Sequence, residues 1–188
     1  MSIPMIKTDT YSIEDLPLLI RKAKEEPRAF ARLYDHFSRS VYRYLYSRVG
    51  NPADAEDLTA QTFLTALEKL PRYRERGNFK AWLFTIARNK AMDHFRKQRS
   101  ETRSSVDDLA VERQDLLVEV IRSEQIDQLS ALIQSLGDDE QELLRLRYVA
   151  DLSFSEMADL LGKRQDAVKK SLYRLQARLQ SQMEVKNV

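Results

Sequence analysis

The chain contains no cysteine, which removes disulfides, thiolate metal sites and cysteine nucleophiles at once. Its four glycines, Gly50, Gly77, Gly137 and Gly162, lie singly between periodic segments, and none belongs to a phosphate-cradling loop. The two histidines, His36 and His94, stand apart, and no cluster has metal-ligand spacing. No apolar run approaches the roughly 18 residues needed to cross a bilayer. The opening MSIPMIKTDTYSIEDL lacks the basic-then-apolar order of a secretory signal. These absences argue against an enzyme, a catalytic residue, a metal, a cofactor and membrane insertion, and they point to the cytoplasm. Strand signals are scarce too, with no sustained alternation and no Asn-Gly hairpin.

What is present is helical periodicity and segregated charge. Of 188 residues, 43% are hydrophobic, enough for packed cores. The net charge of +2 conceals three blocks. From Pro71 to Arg103, ten Lys/Arg stand against three acids, a net of +7. From Ser104 to Glu142, eleven Asp/Glu stand against two arginines, a net of −9. From Lys163 to Met183, six basic residues stand against Asp166, a net of +5. Two basic islands flanking an acidic bridge indicate two polyanion-binding surfaces.

The apolar spacing predicts an all-α fold of two small helical domains joined by an acidic linker. After an N-terminal segment, 1–27, a first helix over about 28–49 carries Phe30, Leu33, Tyr34, Phe37, Val41, Tyr44 and Leu45 on one face. Asn51-Pro52, an N-cap and a proline whose missing N–H costs nothing there, opens a second helix that Pro71 closes. The loop RYRERGN leads to a third helix over about 79–98, completing a domain at 28–99. Residues 100–114 lose periodicity and form the linker. Four shorter helices, at about 115–136, 139–149, 154–161 and 164–182, make the second domain, 115–184.

The stretch SFSEMADLLGKRQDAVKKSLYRL, residues 153–175, has the marks of a helix-turn-helix. Ser153 and Glu156 form a capping box, Ala158 lets two helices cross closely, and Gly162 supplies a left-handed turn residue. Val168 then packs the second helix on the first, with Leu161 and Leu172 inside. That leaves Arg164, Gln165, Asp166, Lys169, Lys170, Tyr173 and Arg174 on the outer face, side chains suited to base edges and phosphates.

The third helix, NFKAWLFTIARNKAMDHFRKQR, interleaves the sole tryptophan with Phe79, Phe84 and Phe95 among basic residues. Leu83, Ala87 and Ala91 recur on one side, and Trp82, Ile86 and Asn89 on another. Lys80, Arg88, Lys90, Arg96, Lys97 and Arg99 line a surface able to track a phosphate backbone. Aromatic and basic side chains together suit single-stranded nucleic acid, where each stacked base contributes ~1–3 kcal/mol. Taken singly, the aromatics are more often core than stacking platforms.

These stretches, in this order, resemble the sigma-70 class of bacterial transcription initiation factors, specifically the small extracytoplasmic-function type. DAEDLTAQTFLTALEKL, residues 54–70, is similar to the family's polymerase-docking helix. FKAWLFTIARNKAMDHFRK is similar to its −10 promoter reader, and the helix-turn-helix to its −35 reader. The resemblance implies polymerase docking by Asp54, Glu56, Asp57, Gln61 and Phe63. It implies capture of a flipped-out base by the loop from Arg76 through Asn78 and Phe79 to Lys80, with Trp82 and Asn89. It also implies core RNA polymerase, duplex and single-stranded promoter DNA, and an anti-sigma factor as partners. A stand-alone helix-turn-helix regulator with a helical sensing domain is the alternative reading, and it would bind duplex tightly without polymerase.

Overall fold

The computed structural model describes residues 15–74, 78–102 and 124–186, all of them helix, turn or irregular chain with no strand among them. The all-α expectation holds. The short helix α1 (Leu16–Ala23) precedes the periodic region and falls in the segment to which the sequence assigned no structure. Asp15 caps it, accepting from the Leu18 N–H at 3.0 Å, and Leu19, Ile20 and Ala23 are buried against α2. Proline at the first position starts α2 (Pro27–Val49), and Gly50, left-handed at φ 70°, ends it. The Asn51 side chain accepts from the N–H groups of Ala53 and Asp54, so α3 (Pro52–Lys69) begins where the Asn-Pro pair placed it. Pro71 does not end the helix abruptly. A tight 3₁₀ turn, Leu70–Arg72, carries the chain off α3.

The third long helix, α4, spans Phe79–Thr102 and so continues three residues into the stretch read as linker. Charged residues at its end keep helical geometry, since Lys, Arg, Gln and Glu are good helix formers in water. The remaining linker residues and the early part of the helix expected from 115 lie outside the described residues. Then come α5 (Glu124–Gln134) and α6 (Asp138–Leu144). A wider π turn, Arg145–Val149, follows, its Ala150 N–H reaching back to the Arg145 carbonyl at 2.9 Å. The helices α7 (Phe154–Leu161) and α8 (Gln165–Lys186) complete the chain.

The core runs unbroken through both halves. Leu33, Val41, Tyr44, Leu45, Leu70, Leu83 and Phe84 fill its N-terminal part, each 1% exposed or less. Leu83, Ala87 and Ala91 are inside, as their shared face required. Leu146, Leu152, Met157 and Val168 belong to the same apolar cluster, because α7 packs on α4 and the π turn on α2. A separate small cluster, Leu132, Leu175 and Leu179, ties α5 to α8.

Candidate nucleic-acid interface

The helix-turn-helix is built as its residues dictate. Ser153 Oγ accepts from the Glu156 N–H at 3.2 Å, and Glu156 Oε2 accepts from the Ser153 N–H at 2.7 Å. Gly162 ends α7 in the left-handed region, φ 63° and ψ 32°, and its N–H reaches the Ala158 carbonyl. Nothing lies within 4 Å of where a Cβ would sit, so backbone conformation, not space, selects glycine there. Val168 and Leu172, each 1% exposed, anchor α8, while Leu161 is only half-buried. Arg164, Gln165, Asp166, Lys169, Lys170, Tyr173 and Arg174 are all exposed. The Lys169 ammonium lies 5.7 Å from the Tyr173 ring, and Phe154 meets that ring edge-on at 5.9 Å. This face is presented as the sequence indicated.

The α4 set divides. Trp82 is half-buried, tilted against Tyr73 at 4.8 Å and Phe79 at 5.3 Å. It lines a cleft of about 370 Å³ together with Arg72, Tyr73, Arg74, Asn78, Thr85 and Asp159. Trp82 thus packs on the core and also borders an opening. Phe79 does neither of the things expected of a DNA contact: it is 5% exposed and wedged among Phe37, Tyr73 and Trp82. An apolar ring at the first turn of α4 gains more from that aromatic nest than from solvent, so it lies inside against Trp82 and not on the exposed face. Ile86, grouped with Trp82 and Asn89 by periodicity, is also buried. Asn89, Arg96, Lys97 and Arg99 are exposed, and Lys80, Arg88 and Lys90 half-buried. Arg76 lies outside the described residues.

Three α4-side residues are engaged by the C-terminal half. The Asn78 amide donates to Asp159 Oδ2 at 2.9 Å, and Lys80 Nζ donates to the Asp151 carbonyl. Asp151 itself holds a left-handed φ of 51°. Arg88 Nε sits 3.4 Å from Glu142 Oε1, ion-pair distance but off hydrogen-bond alignment. Glu142 is 4% exposed and also accepts from the Tyr44 hydroxyl at 2.7 Å and from Arg48 Nη1 at 2.5 Å. Burial first, then the Glu142 carboxylate, pushes the Tyr44 phenol above its ordinary value, so it remains a donor. Beside this cluster a cleft of about 980 Å³ is lined by Arg48, Arg88, Arg96, Arg99 and Arg145, together with the acids Asp93, Asp138, Asp139 and Glu142.

On α3 the docking set is exposed at Glu56 and Asp57 and half-buried at Asp54 and Gln61, whose amide donates to Asp57 at 2.7 Å. Phe63 is 4% exposed and packs edge-on to Tyr34 at 4.7 Å, so it belongs to the core and not to the docking face. The exposed apolar side chains there are Leu64 at 59% and Leu67 at 44%. Tyr73, Arg72 and Arg74, which line the smaller cleft, were read only as loop. The alternating basic-aromatic order RYR was their one sequence signal.

The profile described as Sigma-70 region 2 matches residues 33–101, and that described as Sigma-70, region 4 matches residues 126–179. The chain is 40% identical over 173 residues to the ECF RNA polymerase sigma factor BldN of Streptomyces coelicolor, covering 88% of this chain and 64% of that one. It is 29% identical over 150 residues to the ECF RNA polymerase sigma factor SigM of Bacillus subtilis, covering 79% of this chain and 91% of that one. Among solved structures its fold is similar to that of CnrH, determined in complex with the cytosolic domain of CnrY: TM-score 0.65, 22% identity, 89% of this chain and 96% of that one. No helix among the described residues is long and apolar enough to cross a membrane. Both regions in their order, with α4 in the first and the helix-turn-helix in the second, place the chain in the sigma-70 family.

Proposed function

We propose that the chain, working in the cytoplasm, is a non-catalytic subunit that directs core RNA polymerase to particular promoters and helps open them. The observation that carries this reading is the pairing of two basic helices in one chain. The exposed face of α8 offers Arg164, Lys169, Lys170 and Arg174 to duplex DNA. The α4 side offers Lys80, Arg88, Asn89, Lys90, Arg96, Lys97 and Arg99 along one helix and, separately, a cleft bordered by Trp82, Arg72 and Arg74, a combination suited to an unpaired strand. The first is the −35 reader and the second the −10 reader and melting surface. The intervening Phe79 supports Trp82 from inside. Asp54, Glu56, Asp57 and Gln61, with Leu64 and Leu67, form the polymerase-docking face, acidic at one end and apolar at the other.

In domain terms, residues 28–99 are the docking and −10 unit and 115–184 the −35 unit. Two weak DNA modules on one chain gain through effective concentration. An anti-sigma factor that covers the two DNA faces is the partner expected to hold the protein inactive.

The test is transcription from a library of genomic promoter fragments by core polymerase with and without the purified chain. Specific starts that need the chain are expected. Their absence, together with tight duplex binding by the chain alone, would instead support a free-standing regulator.

A further inference from the structure

We propose that the outer face of α2 is a further phosphate-binding surface, along which the backbone of the strand held by α4 continues. This rests on the reading of α4 as the strand-gripping helix. Arg28, Arg32, Arg39 and Arg43 stand at i, i+4, i+11 and i+15, a spacing that gathers them on one helix face. All four are exposed, on the side away from the buried Leu33, Phe37, Val41 and Tyr44. Asp35 is the single acid in α2. Elsewhere Arg48, Arg96 and Arg178 each meet a carboxylate, at 2.5, 2.8 and 2.6 Å. Among the described residues Arg28, Arg39 and Arg43 meet none, while Arg32 keeps an interaction within the chain.

The helix holds this arrangement against its own electrostatics. Arg28 with Arg32, and Arg39 with Arg43, are like charges at i, i+4, a spacing that opposes helix formation. Arg28 also lies in the first turn, where the helix dipole disfavours a cation. The helices α3, α6, α7 and α8 each place an acid in that turn, and α2 places none. A face kept only for solubility would mix the two signs. A line of guanidiniums is relieved by a line of anions. From Arg28 to Arg43 the stripe runs about 22 Å at ~1.5 Å per residue. That matches roughly six nucleotides of a strand at ~3.4 Å of rise each. Each guanidinium offers a fork of donors to the oxygens of one phosphate.

The neighbourhood of the stripe selects nucleic acid over an acidic protein face. Phe37 packs on Phe79 at 5.6 Å and Tyr44 on Phe84 at 5.4 Å, so α2 and α4 lie side by side and run the same way. Burial first, and then the charge of Lys80, holds the His36 imidazole below its ordinary value, which places Lys80 near His36. His36 is itself exposed, on the flank of the stripe. A strand leaving the Lys80 end of α4 therefore meets the arginines of α2 beside His36.

The experiment follows binding of the full chain to a fluorescein-labelled oligothymidylate of about 20 nucleotides, longer than the stripe, across a range of salt concentrations. Arg28→Gln, Arg39→Gln and Arg43→Gln are combined in one variant that spares Arg32. Its salt slope should fall by about 2, since each phosphate contact on a single strand contributes ~0.7. Complex formation with core polymerase should be unchanged, and the Tm should stay level or rise as like charges are removed. On α4, Arg96→Gln with Arg99→Gln should lower the slope by about 1.4.

An unaltered slope in the α2 variant, with the α4 pair still effective, would overturn the proposal and leave the α4 reading intact. Weaker polymerase binding in that case would assign the face to the enzyme instead. A slope lowered by the α2 variant and not by the α4 pair would overturn the α4 reading, and the shared path with it. A lowered Tm would show that the arginines serve the fold, which also overturns the proposal.

Discussion

Trp82 carries two roles on one side chain, and the structure separates them by face. One face is fixed against Tyr73 and Phe79, and the remainder borders the cleft. Replacing Trp82 by Ala should impair promoter opening more than polymerase binding, measured as permanganate-reactive thymines against complex formation with core enzyme. Equal loss of both would reveal a folding defect. Lys24 is a less obvious contributor, for its ammonium donates to the Tyr73 carbonyl at 2.8 Å and so fixes the loop against which Trp82 leans. Lys24→Met should raise acrylamide quenching of the single tryptophan, and Lys24→Arg should restore it. Unaltered quenching in both would remove Lys24 as a positioning residue. Neither Lys24 nor Tyr73 was legible in the sequence, because they are 49 positions apart and their contact exists only once α1 packs on α2. Phe63 and Phe79 failed the other way. Helical spacing says which residues share a face, but not whether a neighbouring aromatic covers it.

At the scale of elements, local chemistry fixed most of what was found. Asn51-Pro52, Gly50, the Ser153–Glu156 box and Gly162 sit where caps and turns require them, since each acts through backbone groups within a few residues. Gly162→Ala should cost about 1–2 kcal/mol, the penalty of a Cβ in the left-handed region, seen as a lowered Tm with the fold retained. A larger loss would imply a steric role that the open space around this position argues against. On α8, Lys169→Ala with Lys170→Ala should weaken duplex binding similarly across sequences and reduce the salt slope by about 2. An unchanged slope would take them off the phosphate-contact list. The sequence reading ended these helices short of Thr102 and Lys186, since no proline or glycine stands nearby to mark a stop. The π turn at Arg145–Val149 has no sequence mark at all, as it follows from packing against α2.

For the whole molecule, a core continuous across the two matched regions implies coupled unfolding. Calorimetry of the free chain should show one transition, and Glu142→Gln with Asp159→Asn should broaden or divide it. Two separate transitions in the unaltered protein would contradict a core shared by the two regions. The amino-acid sequence by itself determined the long helices α2, α3 and α4, the helix-turn-helix with its caps and the two basic stretches, because these depend on backbone chemistry and spacing within a few turns. Tertiary structure alone decided that Phe63 and Phe79 are core, that Trp82 lies between core and cleft, and that Glu142, Asp151 and Asp159 lie against the α4 side. Those outcomes join residues up to 98 positions apart, and no local pattern records which distant surface a buried carboxylate will meet.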